Sequence, residues 1–92
     1  MIADVTLYQT ADGGRKGPAR PGWGCPTMIS KEQPLQGWDA CPQLGARWLE
    51  LGETRRVGFV FLSTEGAEAI KNAGKFYLWE GGFIGEAMVV TP

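Results

Sequence analysis

The sequence has 92 residues with a net charge of −1 and an apolar fraction of 43%, which predicts one small domain spanning residues 1–92. No apolar run approaches the roughly 18 residues that cross a bilayer, and the start of the chain lacks the basic and then apolar plan of a signal peptide, so we expect a cytoplasmic protein without a membrane partner. The near-neutral charge argues against a dedicated nucleic-acid binder, because such proteins usually carry a basic excess, but it allows a local basic patch.

The first half of the chain predicts short strands around a long loop. Residues 2–10 alternate in part between apolar and polar side chains, which predicts a strand with Val5 and Leu7 on one face. Residues 11–24 are too rich in Gly and Pro for a helix or a regular strand. Three further short strands are predicted, at residues 26–30, 37–40 and 47–51.

The second half of the chain gives clearer signals. Residues 54–62 predict a strand, and because its end is apolar on both faces we expect cover from both sides. Ser63 and the acidic Glu65 predict the start of a short helix over residues 65–73, since a hydroxyl caps free N–H groups and a carboxylate favours the positive end of the helix dipole. Gly74 suits the left-handed position that ends a helix.

The last segment predicts a β-hairpin. Residues 75–80 and 83–90 are rich in aromatic and branched side chains and flank Gly81-Gly82, and Gly supplies the positive φ that hairpin turns require. Together with the earlier segments this gives six or seven strands and one short helix before the last hairpin. The predicted fold class is therefore all-β, as a small closed antiparallel β-barrel, which leaves no sheet edge exposed.

Aromatic side chains are expected to fill this barrel. A chain of this length buries little more than ~60% of its unfolded surface, so large apolar side chains matter for its stability. The predicted core set is Trp48, Phe59, Phe61, Phe76, Trp79 and Phe83.

The order of several short motifs resembles that of a known family. The motifs are Gly13-Gly14-Arg15, Pro18, Gly22-Trp23, Leu51-Gly52-Glu53, Glu80-Gly81-Gly82 and Ile84-Gly85. This order is similar to that of the C-terminal (third) β-barrel domain of elongation factor Tu, over essentially the whole chain. The resemblance implies a barrel that contacts structured, tRNA-like RNA or a component of translation. The sequence contains no Gly-x-x-x-x-Gly-Lys-Ser/Thr motif, so it predicts a stand-alone relative that lacks the GTPase domain and binds no nucleotide.

The glycine-rich loop holds the candidate site for RNA or another partner. Arg15, Lys16 and Arg20 can meet phosphates, and Trp23 can stack on a base or cover the barrel mouth. Binding usually rests on roughly 6 to 10 phosphate contacts, so three cations predict weak binding even if Arg55 and Arg56 join them. The alternative is a structural loop in which Arg15 bonds to backbone carbonyls and Trp23 packs as a lid.

The remaining chemistry gives little support for catalysis. The sequence has two cysteines and no histidine, so it lacks the commonest general base and cannot complete a four-ligand zinc site. Cys25 and Cys41 can form one disulfide or meet as free thiols, and in a cytosolic setting reduced, partly buried thiols are expected. They lie outside any Cys-x-x-Cys pair, which argues against a redox role. We therefore expect a non-enzymatic binding module without metal or cofactor. The alternatives are a protein–protein interaction module unrelated to translation and a small enzyme that acts through one of the cysteines.

Overall fold

Six antiparallel strands form a closed barrel in residues 1–90, the part of the chain that this computed structural model describes. The elements are β1 (Ile2–Leu7), β2 (Cys25–Met28), β3 (Gly37–Pro42), β4 (Thr54–Phe61), α1 (Thr64–Ala73), β5 (Lys75–Trp79) and β6 (Phe83–Val89). The order around the barrel is β1-β4-β3-β2-β5-β6, and β6 returns to pair with β1. The predicted all-β closed barrel, with one short helix before the last hairpin, is confirmed.

The alternation of side chains in β1 sets the inside and the outside of the barrel. Ala3, Val5 and Leu7 are fully buried, as the period of two predicts. Their outward neighbours stay in contact with solvent. The first strand thus contributes one column of the core and one column of the outer wall.

The closing hairpin forms as its glycine pair predicts. Gly81 has a φ of +73°, a left-handed conformation that favours glycine. The backbone N–H of Glu80 donates to the carbonyl of Gly82 at 2.8 Å, which closes the turn. A register shift between Leu78 and Trp79 marks a bulge just before this turn.

The short helix α1 has both of its predicted ends. The Ser63 hydroxyl accepts a hydrogen bond from the backbone N–H of Gly66 at 3.0 Å, and Gly74 ends the helix by donating to the carbonyl of Ile70 at 3.1 Å. Ile70 is fully buried and anchors the helix to the barrel. Within residues 1–90 no helix combines the length and the apolar character needed to cross a membrane.

Two sequence predictions about the middle of the chain, over residues 47–51 and 54–62, are wrong. Residues 47–51 form no strand: Leu49 makes a single bridge to Ala19, and its buried side chain turns its neighbour Trp48 outward, where it is 50% exposed. The outer face at the end of β4 is not covered, since Val60 is 54% and Leu62 is 73% exposed. Both errors arise because an apolar side chain in a small barrel can face solvent when its neighbours occupy the interior.

The predicted aromatic core divides into two groups. Phe59 and Phe76 are buried and meet edge to face, with ring centres 5.2 Å apart. Phe61 is half-buried at the edge of this core. Trp79 and Phe83 are half-buried on the outer wall, so their assignment to the core is wrong. The inward positions of β5 belong to Phe76 and Leu78, and the alternation leaves Trp79 outside.

Replacement of Phe59 by alanine tests the core. We expect Phe59→Ala to lower the free energy of unfolding by ~3–5 kcal/mol, because it removes a buried ring and leaves a cavity beside Phe76. A small domain has a total of only about 5–15 kcal/mol, so most of its cooperative folding is at stake. Urea unfolding measures the change, and Val60→Ala, on the exposed side of the same strand, should shift it by less than about 0.5 kcal/mol. Equal effects of the two variants would contradict the assignment.

Candidate functional site

The glycine-rich loop is fixed to the barrel at two points. A short 3₁₀ turn over Thr10–Asp12 leads into Gly13, and Gly14 then passes so close to the carbonyl oxygen of Tyr8 that any Cβ would overlap it. Farther along, the buried Ala19 exchanges two backbone hydrogen bonds with Leu49, at 2.8 and 2.9 Å. The loop is therefore held in a defined conformation against one end of the barrel.

Arg15, Trp23 and Glu80 form one cluster at the tip of the closing hairpin. A terminal nitrogen of Arg15 donates to both carboxylate oxygens of Glu80, at 2.6 and 2.7 Å, and the Arg15 Nε donates to the carbonyl of Gly17 at 3.1 Å. The Trp23 Nε1 donates to Glu80 at 2.9 Å, and the guanidinium carbon of Arg15 lies 5.2 Å from the centre of the Trp23 ring. Glu80 thus neutralises Arg15 and orients Trp23, which favours the structural interpretation of the loop.

The other two predicted site residues lie apart from this cluster. Lys16 and Arg20 are both exposed, and within residues 1–90 neither side chain makes a hydrogen bond or an ion pair. The structure therefore brings together Arg15 and Trp23 and leaves two separate cations in the solvent.

Arg55 and Arg56, which the sequence offers as additional phosphate contacts, are both paired. Arg55 bonds to the Glu53 carboxylate at 2.9 and 3.0 Å, and these bonds hold the pKa of Glu53 at about 2. Arg56 bonds to Asp4 at 2.9 and 3.2 Å, which lowers the pKa of Asp4. Both carboxylates stay ionised at neutral pH, so these two arginines remain occupied.

A surface that the sequence did not predict lies on the outer wall beside the hairpin. We call it the aromatic face, and it consists of Tyr8, Tyr77, Trp79 and Phe83, all half-buried. Phe83 meets Tyr77 edge to face with ring centres 6.0 Å apart and meets Trp79 in the same way at 4.9 Å. These rings hold one another in place while they remain in contact with solvent.

Three of these rings surround an ammonium group. The Nζ of Lys31 lies 5.1 Å from the ring centre of Tyr8, 5.0 Å from that of Tyr77 and 5.3 Å from that of Phe83. All three distances are within the roughly 6 Å over which a ring attracts a cation. We call the set of Tyr8, Tyr77 and Phe83 the ammonium cage.

Glu86 supports the ammonium cage from the same wall. Its carboxylate accepts a hydrogen bond from the Tyr8 hydroxyl at 2.9 Å and lies 3.5 Å from the Nζ of Lys75. Partial burial, with a smaller contribution from this bond, raises the pKa of Tyr8. The phenol therefore stays neutral, and the bond fixes the orientation of its ring.

The period of two in β5 was the sequence signal for this surface. If Phe76 and Leu78 point inward, Tyr77 and Trp79 must point outward. No local pattern, however, places Lys31 beside Tyr8 and Tyr77, because that neighbourhood depends on the pairing of β2, β5, β6 and β1.

The two cysteines are free thiols on neighbouring strands. Cys25 is buried in β2, and Cys41 is half-buried in β3, one residue beyond the partner of Cys25 in the register. Burial raises the pKa of Cys25 to about 12. Residues 1–90 contain no group of three or more His, Cys, Asp or Glu side chains that could hold a metal ion.

Comparison with known proteins gives no relative for this chain: no family model, no curated protein and no solved structure matches it. The resemblance to the C-terminal barrel of elongation factor Tu therefore stays a prediction from the order of motifs.

Alkylation tests the state of Cys25. At pH 8 a thiol with a pKa near 12 is thiolate in only about one molecule in ten thousand, and the thiolate is the reactive form. We expect iodoacetamide to leave Cys25 unmodified in the folded protein and to modify it in urea, where its pKa returns to its ordinary value. Mass spectrometry of peptides from both samples measures this. Rapid modification in the folded protein would show that the thiol is activated.

A change at Glu80 tests the cluster at the hairpin tip. Glu80→Gln removes the charge that binds Arg15 and leaves one acceptor oxygen where Arg15 and Trp23 now use two, so we expect a loss of about 0.5–1.5 kcal/mol in unfolding free energy. The indole N–H resonance of Trp23 should shift at the same time. Glu50→Gln is the control, since that side chain makes no hydrogen bond or ion pair within residues 1–90. An unchanged indole resonance in Glu80→Gln would contradict the cluster.

Proposed function

We propose that this chain is a non-enzymatic module that binds another protein through the aromatic face. The observation that supports this is a set of four half-buried rings on one wall, with Tyr77 and Trp79 in β5, Phe83 in β6 and Tyr8 directly after β1. Tyr and Trp dominate the residues that carry binding energy at protein interfaces, because they bury a large rigid surface at a low entropic cost. The barrel supports them from behind, so little ordering remains to be done on binding.

The chemistry of the face indicates what kind of side chain it receives. The ammonium cage already attracts a cation, while the Glu86 carboxylate beside it is paired with Lys75, whose Nζ lies 5.4 Å from the centre of the Tyr77 ring. A partner segment with a basic side chain next to apolar ones fits this surface: the basic group enters the cage, and the apolar groups pack on Trp79.

RNA binding, the first expectation from the sequence, has less support. Of the nine cationic side chains, five form ion pairs within residues 1–90. The other four are Lys16, Arg20, Lys31 and Lys71, and one of these already lies in the cage. Four scattered cations fall short of the roughly 6 to 10 phosphate contacts on which good binding rests.

Catalysis by a cysteine also has less support than binding. Cys25 is buried, and its pKa of about 12 keeps it from acting as a nucleophile near neutral pH. Its environment is the packed interior, with no base or cation bonded to the sulfur among the hydrogen bonds of residues 1–90.

A peptide selection compares the protein-binding and RNA-binding proposals. The folded protein is used to select peptides from a random displayed library, and the best peptides are synthesised and titrated. We expect peptides that contain a basic residue, and we expect Trp79→Leu and Tyr77→Leu each to weaken their binding about 10-fold or more. The double variant Lys16→Ala, Arg20→Ala is the matched control and should bind them unchanged. Titration of tRNA at low salt is run in parallel.

The two proposals predict opposite patterns. If tRNA binds and the double loop variant abolishes that binding, while both aromatic variants leave peptide binding unchanged, the aromatic face is not the site and the RNA proposal replaces this one. If no peptide is selected under conditions in which the protein is folded, the protein-binding proposal fails by itself.

A further inference from the structure

We infer that the ammonium cage is a site for a methylated lysine side chain of a protein partner, and that Lys31 is a competitor built into the chain. This inference rests on the proposed function, because it assigns a ligand and a form of regulation to part of the aromatic face. It starts from the three rings of Tyr8, Tyr77 and Phe83, which meet one ammonium group at 5.0 to 5.3 Å.

The barrel holds the rings of the cage in advance. Tyr77 is paired in register with Glu86, and the backbone N–H of Tyr8 donates to the carbonyl of Ile84 at 2.9 Å. Phe83 begins β6 and packs edge to face on Tyr77. Two of the rings thus lie on paired strands and the third directly after the next strand, so a ligand does not have to assemble them.

The present occupant is held by its rings alone. Lys31 lies in the connection between β2 and β3, and within residues 1–90 its ammonium group makes no hydrogen bond and no ion pair. A primary ammonium has three N–H donors that need acceptors, and this cage supplies none of them to Lys31. The three N–H groups of Lys31 must therefore remain hydrogen-bonded to water.

A methylated ammonium fits such a cage better than a primary one. A trimethylated group has no N–H donors to satisfy, and its methyl groups carry the positive charge directly onto the ring faces. Aromatic cages recognise quaternary ammonium ions for this reason. The ring contacts of Lys31, with no hydrogen bond to its ammonium group within residues 1–90, thus favour the methylated form over the unmodified lysine.

A polypeptide is the source that fits the surroundings of the cage. Lys31 shows that a lysine side chain that extends from a chain segment can reach the three rings from outside the barrel. Trp79 packs against Phe83, with ring centres 4.9 Å apart, so it continues the surface beyond the cage. A partner's residues beside the methylated lysine can pack there, whereas a free choline molecule reaches only the cage.

Lys31 lowers the apparent affinity for any such ligand. Because it is tethered, it competes at an effective concentration in the millimolar range, and the cage accepts a ligand only in the fraction of molecules from which Lys31 has left. Removal of its ammonium group should therefore strengthen binding about 3- to 10-fold. Acetylation of Lys31, which removes its charge, or sequestration of Lys31 by a partner would open the site in the same way.

Nuclear magnetic resonance with small probes tests the site. Nα-acetyl-Nε-trimethyllysine amide, its unmethylated counterpart and choline are titrated into the wild-type protein and into Lys31→Ala. We expect the N-methyl signal of the first probe to move upfield, because protons over ring faces are shielded, and we expect millimolar binding that is about 3- to 10-fold tighter in Lys31→Ala. The wild-type titration alone suffices to detect the site if the variant does not fold.

Two further variants identify the rings. Tyr77→Leu, made in the Lys31→Ala protein, should abolish the upfield shift. Tyr8→Phe keeps the ring and loses only the bond to Glu86, so the shift should persist. Backbone amide spectra of all variants show that the barrel is intact.

Four results would overturn the inference. No upfield shift in either protein, or a shift that survives Tyr77→Leu, removes the cage as the site. Equal binding of the unmethylated probe removes the preference for methylation, and choline binding as tight as that of the trimethyllysine probe makes a free small molecule the ligand. If selected peptides still depend on Trp79 while none of the three probes binds, the proposed function stands and this inference alone fails.

Discussion

The pairing of the first strand with the last is the constraint on which the rest of the structure depends. Backbone bonds between β1 and β6, from Ala3 opposite Val89 to Leu7 opposite Gly85, turn a six-stranded sheet into a closed barrel. Without them two sheet edges would stand open, and the interior would be exposed along a seam. The same pairing carries Tyr8 to the side of Phe83 and Tyr77, so closure builds both the core and the aromatic face.

Closure also decides how the aromatic side chains are divided. The interior of a six-stranded barrel is narrow, and Phe59 and Phe76 together with aliphatic side chains fill it. The remaining rings of β5 and β6 must stand on the outer wall, because successive side chains of a strand point to opposite faces. A surface that is rich in half-buried rings is therefore a consequence of a small, well-filled core. Aromatic side chains are also enriched in protein-binding sites.

The charged residues act locally rather than as one field. Arg15 pairs with Glu80, Arg55 with Glu53 and Arg56 with Asp4, so three of the five cations that the sequence suggests as phosphate contacts are neutralised by separate carboxylates. The other two, Lys16 and Arg20, lie apart from them. Around Lys31 the quadrupoles of three rings attract an ammonium group that no carboxylate within residues 1–90 pairs with. Electrostatic selectivity at this surface therefore depends on shape and desolvation more than on net charge.

Features whose causes lie within a few residues follow directly from the sequence: the strand alternation of β1, the turn at Gly81, the Ser63 cap and the end of α1 at Gly74. The class of fold also follows from the sequence, because a sheet of six short strands leaves no edge exposed when it closes into a barrel. Only the tertiary structure decided the pairing of Arg15 with Glu80, 65 residues away, the outward position of Trp48 and the meeting of Lys31 with three rings. The physical reason is that these contacts depend on which strands become neighbours around the barrel, and strand pairing joins distant parts of the chain that no local pattern connects.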